Sequence, residues 1–292
     1  MLVTGGAGYI GRRLSSALAE RVAVTIIDRS PVDALPGVES ITADVRDEVE
    51  IDDIAASVDC IFHHAAEVDI SKTMDDPRTS ASTNVLGTLT ILEAARRYDI
   101  PVLLASSAAV YGDPLDVPVS ESAPKDPTSP YGLEKLVGDR YAALYRDLYD
   151  LDVLSLRYFN VYGPGSRSSP GVIRRFISQA RTGGPITIHG DGSQTRDFVY
   201  IDDVIRVNLL AASSPMDGSA INVGTGTAIS IRTLAEMIRD HIDPTVRITS
   251  VTRPDGDIQH SCADMSRAAE SLGFTPSVSI DDGIERLVSD AL

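Results

Sequence analysis

The chain opens with MLVTGGAGYIG over residues 1–11, and RRLSSALAE follows over residues 12–20. Apolar and β-branched residues run into glycines, and apolar residues then recur at helical spacing, which predicts a strand, a tight loop and a helix. Gly5 and Gly6 permit the tight turn, Gly8 lets a ligand approach the backbone, and Gly11 lets the helix pack closely on its strand. Because a helix N-terminus carries free N–H groups and a positive dipole end, this stretch is typical of a phosphate-binding loop.

A second strand follows and ends in an acid. Apolar and β-branched residues fill positions 22–27, and Asp28 comes directly after them. An acid at this place grips the adenosine ribose hydroxyls in dinucleotide-binding folds. The order of strand, glycine loop, helix, strand and acid therefore predicts dinucleotide binding rather than a glycine turn without a ligand. Asp28 favours NAD over NADP, and the neighbouring Arg29 is the one feature that favours NADP.

Length and cysteine content bound the class of protein. The 292 residues suffice for one large α/β domain, or for a domain with a smaller lobe. No apolar run reaches membrane-spanning length and no signal-peptide pattern opens the chain, so we expect a cytoplasmic protein that binds no membrane. Cys60 and Cys262 lie far apart and match no metal-ligand spacing, so we expect reduced thiols and no metal site.

The charge is strongly acidic. A formal net charge of −16 argues against a nucleic-acid or anionic-membrane binder. The chain has 31 Asp against 11 Glu, and three Lys against 23 Arg. An acidic, lysine-poor surface fits a salt-rich cytoplasm, in which its charges are screened. A GC-rich genome, which also exchanges Lys for Arg, is the alternative explanation.

Strands alternate with helices through the first half of the chain. Further strands are predicted at 38–42, 60–64, 101–105 and 153–157, and helices at 48–57, 80–98, 129–149 and 172–182. This alternation predicts an α/β fold with a Rossmann-like doubly wound parallel sheet, whose ligands lie across the carboxyl ends of the strands. Residues 158–170 are predicted to be a loop, and the later short segments are predicted to form a smaller C-terminal lobe that supplies a substrate pocket.

A tyrosine and a lysine are spaced for chemistry. Tyr131 and Lys135 are four residues apart on one face of a predicted helix. A phenol is a poor base at neutral pH unless a nearby positive charge favours the phenolate, and Lys135 supplies such a charge. Alone, this pair is typical of ordinary helix packing. Ser106 and Ser107 at the tip of a predicted strand add a hydroxyl that can bind a reacting alcohol, which completes a base, a cation and an orienting group.

Eight motifs together resemble one family. They are TGGAGYIG (4–11), HAA (64–66), NVLGT (84–88), SSAAVYG (106–112), SPYGLEK (129–135), RYFNVYGP (157–164), QTRDF (194–198) and HSCAD (260–264). Nearly the whole chain thus resembles the extended short-chain dehydrogenases/reductases. The later motifs resemble the NAD-dependent nucleotide-sugar epimerases and dehydratases of that family, most closely its UDP-glucose 4-epimerases.

The resemblance implies a reaction. Tyr131 takes the proton of the sugar 4-hydroxyl, directly or through Ser107, and Lys135 holds the nicotinamide ribose and lowers the Tyr131 pKa. A hydride passes from sugar C4 to NAD, the 4-keto sugar turns over, and the hydride returns to its other face. The related 4,6-dehydratases carry an Asp-Glu pair where this chain has Ala108 and Ala109, so dehydration is disfavoured.

The resemblance also implies site residues and domains. The cofactor contacts it predicts are Gly5, Gly8, Tyr9, Ile10, Gly11, Asp28, Arg29, Asp44, Val45, Ala65, Ala66, Asn84, Ser106, Tyr131, Lys135 and Tyr158. The predicted substrate contacts are Ser107, Tyr131, Asn160, Val172, His189, Arg196, Arg253, Asp257 and Ser261. Residues 1–157, with returning segments at about 190–225, are predicted to bind NAD, and residues 158–292 mainly to form the substrate lobe. The helical faces at 84–97 and 133–148 would suit a homodimer.

Several functions stay open at this point. The leading one is a UDP-glucose/UDP-galactose 4-epimerase, with Ser261 at a position that admits N-acetylhexosamines where a bulky aromatic residue would exclude them. Arg167 favours a UDP-hexuronate substrate instead, because a cation can recognise its carboxylate. A reductase or dehydrogenase with net cofactor turnover shares the Tyr131 and Lys135 pair. A non-catalytic NAD(H)-binding module is the remaining alternative, although such modules commonly lack the Tyr or the Lys.

Overall fold

A computed structural model describes residues 1–165, 171–253 and 256–289. The strands are β1 Leu2–Thr4, β2 Val24–Asp28, β3 Val38–Thr42, β4 Ile61–His63, β5 Val102–Ser107, β6 Val153–Tyr158, β7 Asn160–Tyr162, β8 Ile186–His189, β9 Thr195–Tyr200, β10 Asp217–Val223, β11 Ala228–Ser230 and β12 Ile248–Val251. The α-helices are α1 Tyr9–Ala19, α2 Glu48–Ala55, α3 Ile70–Asp75, α4 Pro77–Ala81, α5 Gly87–Tyr98, α6 Pro130–Tyr149, α7 Val172–Arg181, α8 Ile201–Ala211, α9 Ile231–Ile242, α10 Ser266–Leu272 and α11 Ile280–Ser289.

The centre of the molecule is a seven-stranded sheet in the order β10-β6-β5-β4-β1-β2-β3. Every neighbouring pair in it is parallel. The strand order reverses between β1 and β4, and in such sheets a ligand binds beyond the carboxyl ends of the strands at the reversal. The predicted doubly wound α/β fold is confirmed.

Alternation along the strands divides the core into two layers. Val3, Ile26 and Phe62 face one side of the sheet, where α1 and α8 pack. Leu2 and Ile27, one position away, face the other side, where α2 and α5 contribute apolar residues. Successive side chains of a strand point to opposite faces, so a buried sheet needs apolar residues at adjacent positions. The uninterrupted apolar runs of β1 and β4 follow from this requirement.

The start of α6 is fixed by local chemistry. Ser129 is the N-cap, and its Oγ accepts a hydrogen bond from the Gly132 amide at 3.1 Å. Pro130 is the first helical residue, where its missing N–H costs nothing. Tyr131 is therefore placed on the first turn of α6, at the carboxyl edge of the sheet.

Two predicted segments differ from the structure. The loop predicted at 158–170 contains β7, which pairs in parallel with β9 across about forty residues of sequence. The helix predicted at 80–98 is divided into α4, a π-helical turn at Ser82–Leu86, and α5. A π-helical turn widens the helix locally and is frequent at functional sites. Here it carries Asn84 toward α6.

The smaller lobe is built on β9. It forms the middle strand of the sheet β11-β9-β7, and β8 pairs with β12 beside it. Within the predicted returning segment at 190–225, α8 and β10 rejoin the main sheet, whereas β9 belongs to the lobe. None of the described helices is long and apolar enough to span a bilayer.

Candidate active site

A cleft of about 660 Å³ runs along the carboxyl edge of the sheet. The residues predicted from sequence that line it are Gly5, Gly8, Tyr9, Ile10, Gly11, Asp28, Arg29, Val45, Ala65, Ala66, Ser106, Ser107, Tyr131, Lys135, Tyr158 and Asn160. They come from the carboxyl ends of β1 to β6, from the start of β7 and from the first two turns of α1 and α6. The fold therefore brings most of the predicted cofactor residues to one surface.

The glycine loop leaves room at the floor of this cleft. Gly5 has φ +73°, and a Cβ there would lie 2.7 Å from the Ala65 amide nitrogen. A Cβ on Gly11 would lie 2.2 Å from the Gly5 carbonyl oxygen. No side chain caps the N-terminus of α1 at Gly8. The first-turn amides are thus open to a phosphate, as the sequence predicted.

Asp28 is oriented at the tip of β2. Its Oδ2 accepts a hydrogen bond from the Ala7 amide at 3.0 Å, and its Oδ1 accepts one from the Ser30 amide at 2.9 Å. These bonds hold the carboxylate beside the glycine loop, where it lines the cleft together with Arg29. A carboxylate fixed there suits two ribose hydroxyls and repels a 2′-phosphate.

The candidate catalytic groups meet at the inner end of the cleft. The Lys135 Nζ donates a hydrogen bond to the Ala105 carbonyl at 2.7 Å and lies 6.0 Å from the centroid of the Tyr131 ring. The Ser107 hydroxyl lies near the Tyr131 phenol and lowers the pKa of that phenol. Ser107 is itself held by the turn that follows β5, because its Oγ accepts the Ala109 amide at 3.2 Å.

Burial dominates the protonation of both groups. It lowers the pKa of Lys135 to about 8. It raises the pKa of Tyr131, and the nearby Glu134 carboxylate raises it further, whereas the Ser107 hydroxyl lowers it. The expectation that Lys135 lowers the Tyr131 pKa is therefore not met in the protein alone. Desolvation of the phenolate outweighs the attraction, because the ammonium is directed to the Ala105 carbonyl.

Asn84 lies behind the catalytic helix rather than on the cleft wall. It is buried, and its Nδ2 donates to Glu134 Oε2 at 2.6 Å and to the Glu67 carbonyl at 2.9 Å. Ser80 donates to the same Glu134 carboxylate at 2.6 Å. Sequence reasoning passed over Glu134, although it stands between Tyr131 and Lys135 in the motif. Its burial depends on partners fifty residues away, which the motif does not show.

Two histidines on β4 and its tip were also missed as site residues. His63 lies between Thr4 Oγ1 at 2.8 Å and Thr88 Oγ1 at 3.0 Å. His64 lines the cleft and stacks on Tyr158 with ring centroids 6.1 Å apart. Burial lowers the pKa of each to about 3, so both are neutral.

Unpaired polar atoms show that the cleft is built for a ligand. Within the described part of the chain, His64 Nε2, Ser106 Oγ and the Tyr9 hydroxyl are buried without a hydrogen-bond partner. Buried polar atoms are ordinarily paired, and all three residues line the cleft. Together with the glycine floor and Asp28, these atoms fit a polar dinucleotide.

Two predicted contacts lie at the margin of the cleft. The Asp44 carboxylate accepts bonds from Arg46 at 2.7 and 2.9 Å, which hold its pKa below the usual range. Val172 begins α7, and its neighbours Gly171 and Ile173 line the cleft.

The remaining predicted substrate residues gather in the lobe. Arg196 Nη2 lies 2.7 Å from Asp257 Oδ1, and Arg253 Nε lies 3.3 Å from Asp257 Oδ2. His189 pairs with Val251, two residues before Arg253. The Ser261 amide donates to the Thr195 carbonyl at 3.2 Å, which places Ser261 beside Arg196.

Strand pairing connects this cluster to the cleft. Asn160 on β7 lines the cleft and pairs with Phe198 on β9. Arg196 is two positions before Phe198, and residues two apart on a strand share a face. The arginine pair therefore follows on from the Asn160 end of the cleft. Arg167, the predicted cation for a hexuronate, lies outside the described residues, and no metal-binding group of His, Cys, Asp and Glu occurs among those that are described.

Known proteins resemble this chain along its length. It is 37% identical to a putative UDP-glucose 4-epimerase of Methanocaldococcus jannaschii, over 99% of this chain and 97% of that protein. The crystal structure of a UDP-glucose 4-epimerase from Thermotoga maritima, with UDP-glucose, matches with a TM-score of 0.93 and 31% identity, over 99% and 97% of the two chains. A UDP-N-acetylglucosamine 4-epimerase from Methanobrevibacter ruminantium, in complex with UDP-N-acetylmuramic acid, matches with a TM-score of 0.92 and 31% identity, over 99% and 98%.

The family model agrees with these matches and with the cleft. The model of the NAD dependent epimerase/dehydratase family matches residues 1–224, which contain the glycine loop, Asp28, Ser107, Tyr131 and Lys135. The chain belongs to the NAD-dependent epimerase/dehydratase family.

Proposed function

We propose that this protein is an isomerase that inverts carbon 4 of a UDP-hexose with NAD held in the cleft. One observation carries the proposal: Ser107, Tyr131 and Lys135 converge in the same cleft as the glycine loop and Asp28. A base beside a dinucleotide site is what alcohol oxidation requires. The matches to UDP-sugar 4-epimerases support an isomerase rather than an enzyme with net cofactor turnover.

Each catalytic side chain has a separate task. Tyr131 accepts the proton of the sugar 4-hydroxyl and later returns it, and Ser107 orients that hydroxyl. Lys135 is charged below its pKa of about 8. Its charge favours the phenolate form of Tyr131, which is the form that can accept a proton. Bound NAD supplies the hydride acceptor at carbon 4 and, when oxidised, a positive charge that also favours the phenolate. Gly5, Gly8, Gly11 and Asp28 would hold it.

The arginine pair is suited to a nucleotide diphosphate. Arg196 and Arg253 share the Asp257 carboxylate, and the Asp113 carboxylate also attracts Arg196. Burial lowers the pKa of Arg196, and the charge of Arg253 acts in the same direction. An additional anion would offset the burial of the Arg196 charge and its repulsion by Arg253. We infer that the cluster, with Asn160 and His189, binds the diphosphate of the substrate.

Product analysis tests the function. The purified protein is incubated with UDP-glucose, its N-acetylamino analogue and UDP-glucuronate, without added cofactor. We expect the 4-epimer of at least one sugar to form with no net change in absorbance of reduced nicotinamide. A reaction that consumes added NAD or NADH in proportion to product would instead identify a dehydrogenase or reductase.

Asp28 should determine the choice of cofactor. We expect NAD to bind far more tightly than NADP, and Asp28→Ala to narrow the difference by about tenfold or more, because it removes the carboxylate that repels a 2′-phosphate. Titrating both cofactors into cofactor-stripped protein measures this. Arg29→Ala is the matched control and should weaken only NADP. Equal affinities in the unaltered protein would mean that Arg29, not Asp28, governs the site.

We also propose a homodimer formed through α5 and α6. Leu133, Leu144 and Leu148 of α6 are 54%, 46% and 61% exposed, and Tyr98 of α5 is 39% exposed. Apolar side chains on two adjacent helices form a patch suited to a second copy of the same face.

Salt should stabilise the protein. With 31 Asp and three Lys, we expect the melting temperature to rise from low salt to molar KCl, because screening reduces repulsion among the carboxylates. Thermal melts over that range, with the NAD concentration held constant, provide the measurement. A flat or falling melting temperature contradicts a salt-rich habitat.

The free thiols of Cys60 and Cys262 support the cytoplasm as the proposed location.

A further inference from the structure

A separate cavity, of about 200 Å³, is lined by residues of α6, β6, β10, α10 and the 121–125 loop. Four cations line it: Lys125, Arg140, Arg157 and Arg267. Two carboxylates line it as well, those of Glu121 and Asp139. None of these six residues lines the cofactor cleft. The wall therefore carries a net charge of +2 in a chain whose formal charge is −16.

Each carboxylate has one oxygen paired within the protein, whereas Asp139 Oδ1 is buried without a hydrogen-bond partner in the part of the chain that the structure describes. Asp139 Oδ2 lies 2.8 Å from Arg157 Nε, and both side chains are buried. Glu121 Oε1 accepts a hydrogen bond from the Asn222 amide at 2.8 Å. Among the described residues neither acid forms a salt bridge with the two outer cations, Lys125 and Arg140, although both acids attract Lys125.

The outer cations lack partners of opposite charge. Lys125 Nζ donates to the Glu121 carbonyl at 2.5 Å, and over the described ranges it has no carboxylate partner. Arg140 has neither a hydrogen-bond nor an ion-pair partner in that same part of the chain. Arg267 approaches only Asp217, at 3.8 Å on the rim of the cavity. In a chain with 42 acids and 26 Lys and Arg, unpaired cations that face one another are unexpected.

We propose that this cavity binds a small oxyanion of the size and charge of inorganic phosphate. Lys125, Arg140 and Arg267 contact the ion, and the Arg157–Asp139 pair forms the inner wall. Burial and the charges of Arg157 and Arg140 lower the pKa of Lys125 more than the Asp139 and Glu121 carboxylates raise it, and a bound anion relieves the remaining repulsion. Charge-assisted bonds from several donors to one oxyanion are among the stronger polar contacts in proteins. The volume of about 200 Å³ is sufficient for phosphate or sulfate.

Calorimetric titration with potassium phosphate tests the site, with KCl exchanged to hold the ionic strength constant. The protein is loaded with NAD and saturated with UDP, so that the phosphate-binding groups of the cleft are already filled. We expect one phosphate per chain in the parent, and at least tenfold weaker binding in Arg140→Gln/Arg267→Gln. Arg239→Gln, at an arginine that is paired with Asp240 and does not line the cavity, is the matched control and should bind as the parent does. No saturable binding in the parent, or unchanged binding in the double variant, overturns the proposal.

Chemical labelling provides a test without any substitution. The chain has only three lysines, so acylation of each can be followed separately by mass spectrometry. Phosphate should slow acylation of Lys125 several-fold and leave that of Lys72, an exposed lysine, unchanged. Equal rates for Lys125 with and without phosphate would contradict the site.

Discussion

Replacing Tyr131 with Phe is expected to lower kcat for UDP-hexose epimerisation by about 10²–10⁴-fold. The substitution removes the hydroxyl that accepts the substrate proton and leaves the ring in its position on the first turn of α6. Because Tyr131 lines the cleft, where its hydroxyl interacts with Ser107, the melting temperature and the affinity for NAD should change little. Initial rates at saturating substrate measure the effect.

Tyr141→Phe is the matched control for this prediction. Tyr141 lies on the same helix and packs edge-on against Tyr145 at 6.3 Å, away from the cleft. It should lose the same hydroxyl with no comparable loss of rate. If Tyr131→Phe epimerises at the parental rate, Tyr131 is not the base. Full NAD binding with no turnover in either protein, on any UDP-sugar, would favour the non-catalytic module.

The elements near the glycine loop follow from local sequence. The strand predicted at 38–42 has those bounds in the structure, and the predicted Ser129 start of the catalytic helix is its N-cap. Apolar periodicity, caps and turns are properties of neighbouring residues, so a single segment of sequence is sufficient to predict them. β7 was missed for the opposite reason: its three residues become a strand only by pairing with β9. A pairing partner so distant leaves no local signal.

The candidate site divides in the same way. The motif residues that line the cleft could be predicted because each motif fixes its own turn. The partners that hold them could not. Glu134 is buried by Ser80 and Asn84, which arrive from a different helix. Asp197, fully buried in β9, accepts the amides of Thr225, Gly226 and Ala263 at 2.8, 3.0 and 3.1 Å.

Asp197 also determines where the predicted substrate gate lies. Its bond to Ala263 holds the 261–264 segment against β9, and the Val119 amide donates to the Cys262 carbonyl at 2.8 Å from the other side. Ser261 is only 9% exposed between these contacts. Its Oγ has no hydrogen-bond partner in the described part of the chain. Ser261, a small side chain with a free hydroxyl, is therefore held two residues before the bonded Ala263 and beside Arg196.

We expect Ser261→Tyr to abolish epimerisation of UDP-N-acetylglucosamine, with a loss in kcat/KM of about 10²-fold or more, and to leave UDP-glucose within a few-fold of the parent. The phenol ring of Tyr, in place of the Ser261 side chain, fills the space that an acetamido group would need. The well-packed residues around position 261 cannot move to make room for both. Glucose carries only a hydroxyl at carbon 2 and needs no such space. The values of kcat/KM for UDP-glucose, its N-acetylamino analogue and UDP-glucuronate, in parent and variant, measure the effect.

Ser261→Ala separates space from hydrogen bonding. It keeps the room and removes the hydroxyl, so it should retain most of the activity on the N-acetylated sugar if size is the determinant, and lose about tenfold if the Ser261 hydroxyl donates a bond to the acetamido group. A Tyr variant that handles the N-acetylated sugar as well as the parent does would show that Ser261 is not the gate. A parent that prefers UDP-glucuronate to both other sugars would move the determinant to a group that recognises a carboxylate, such as a cation.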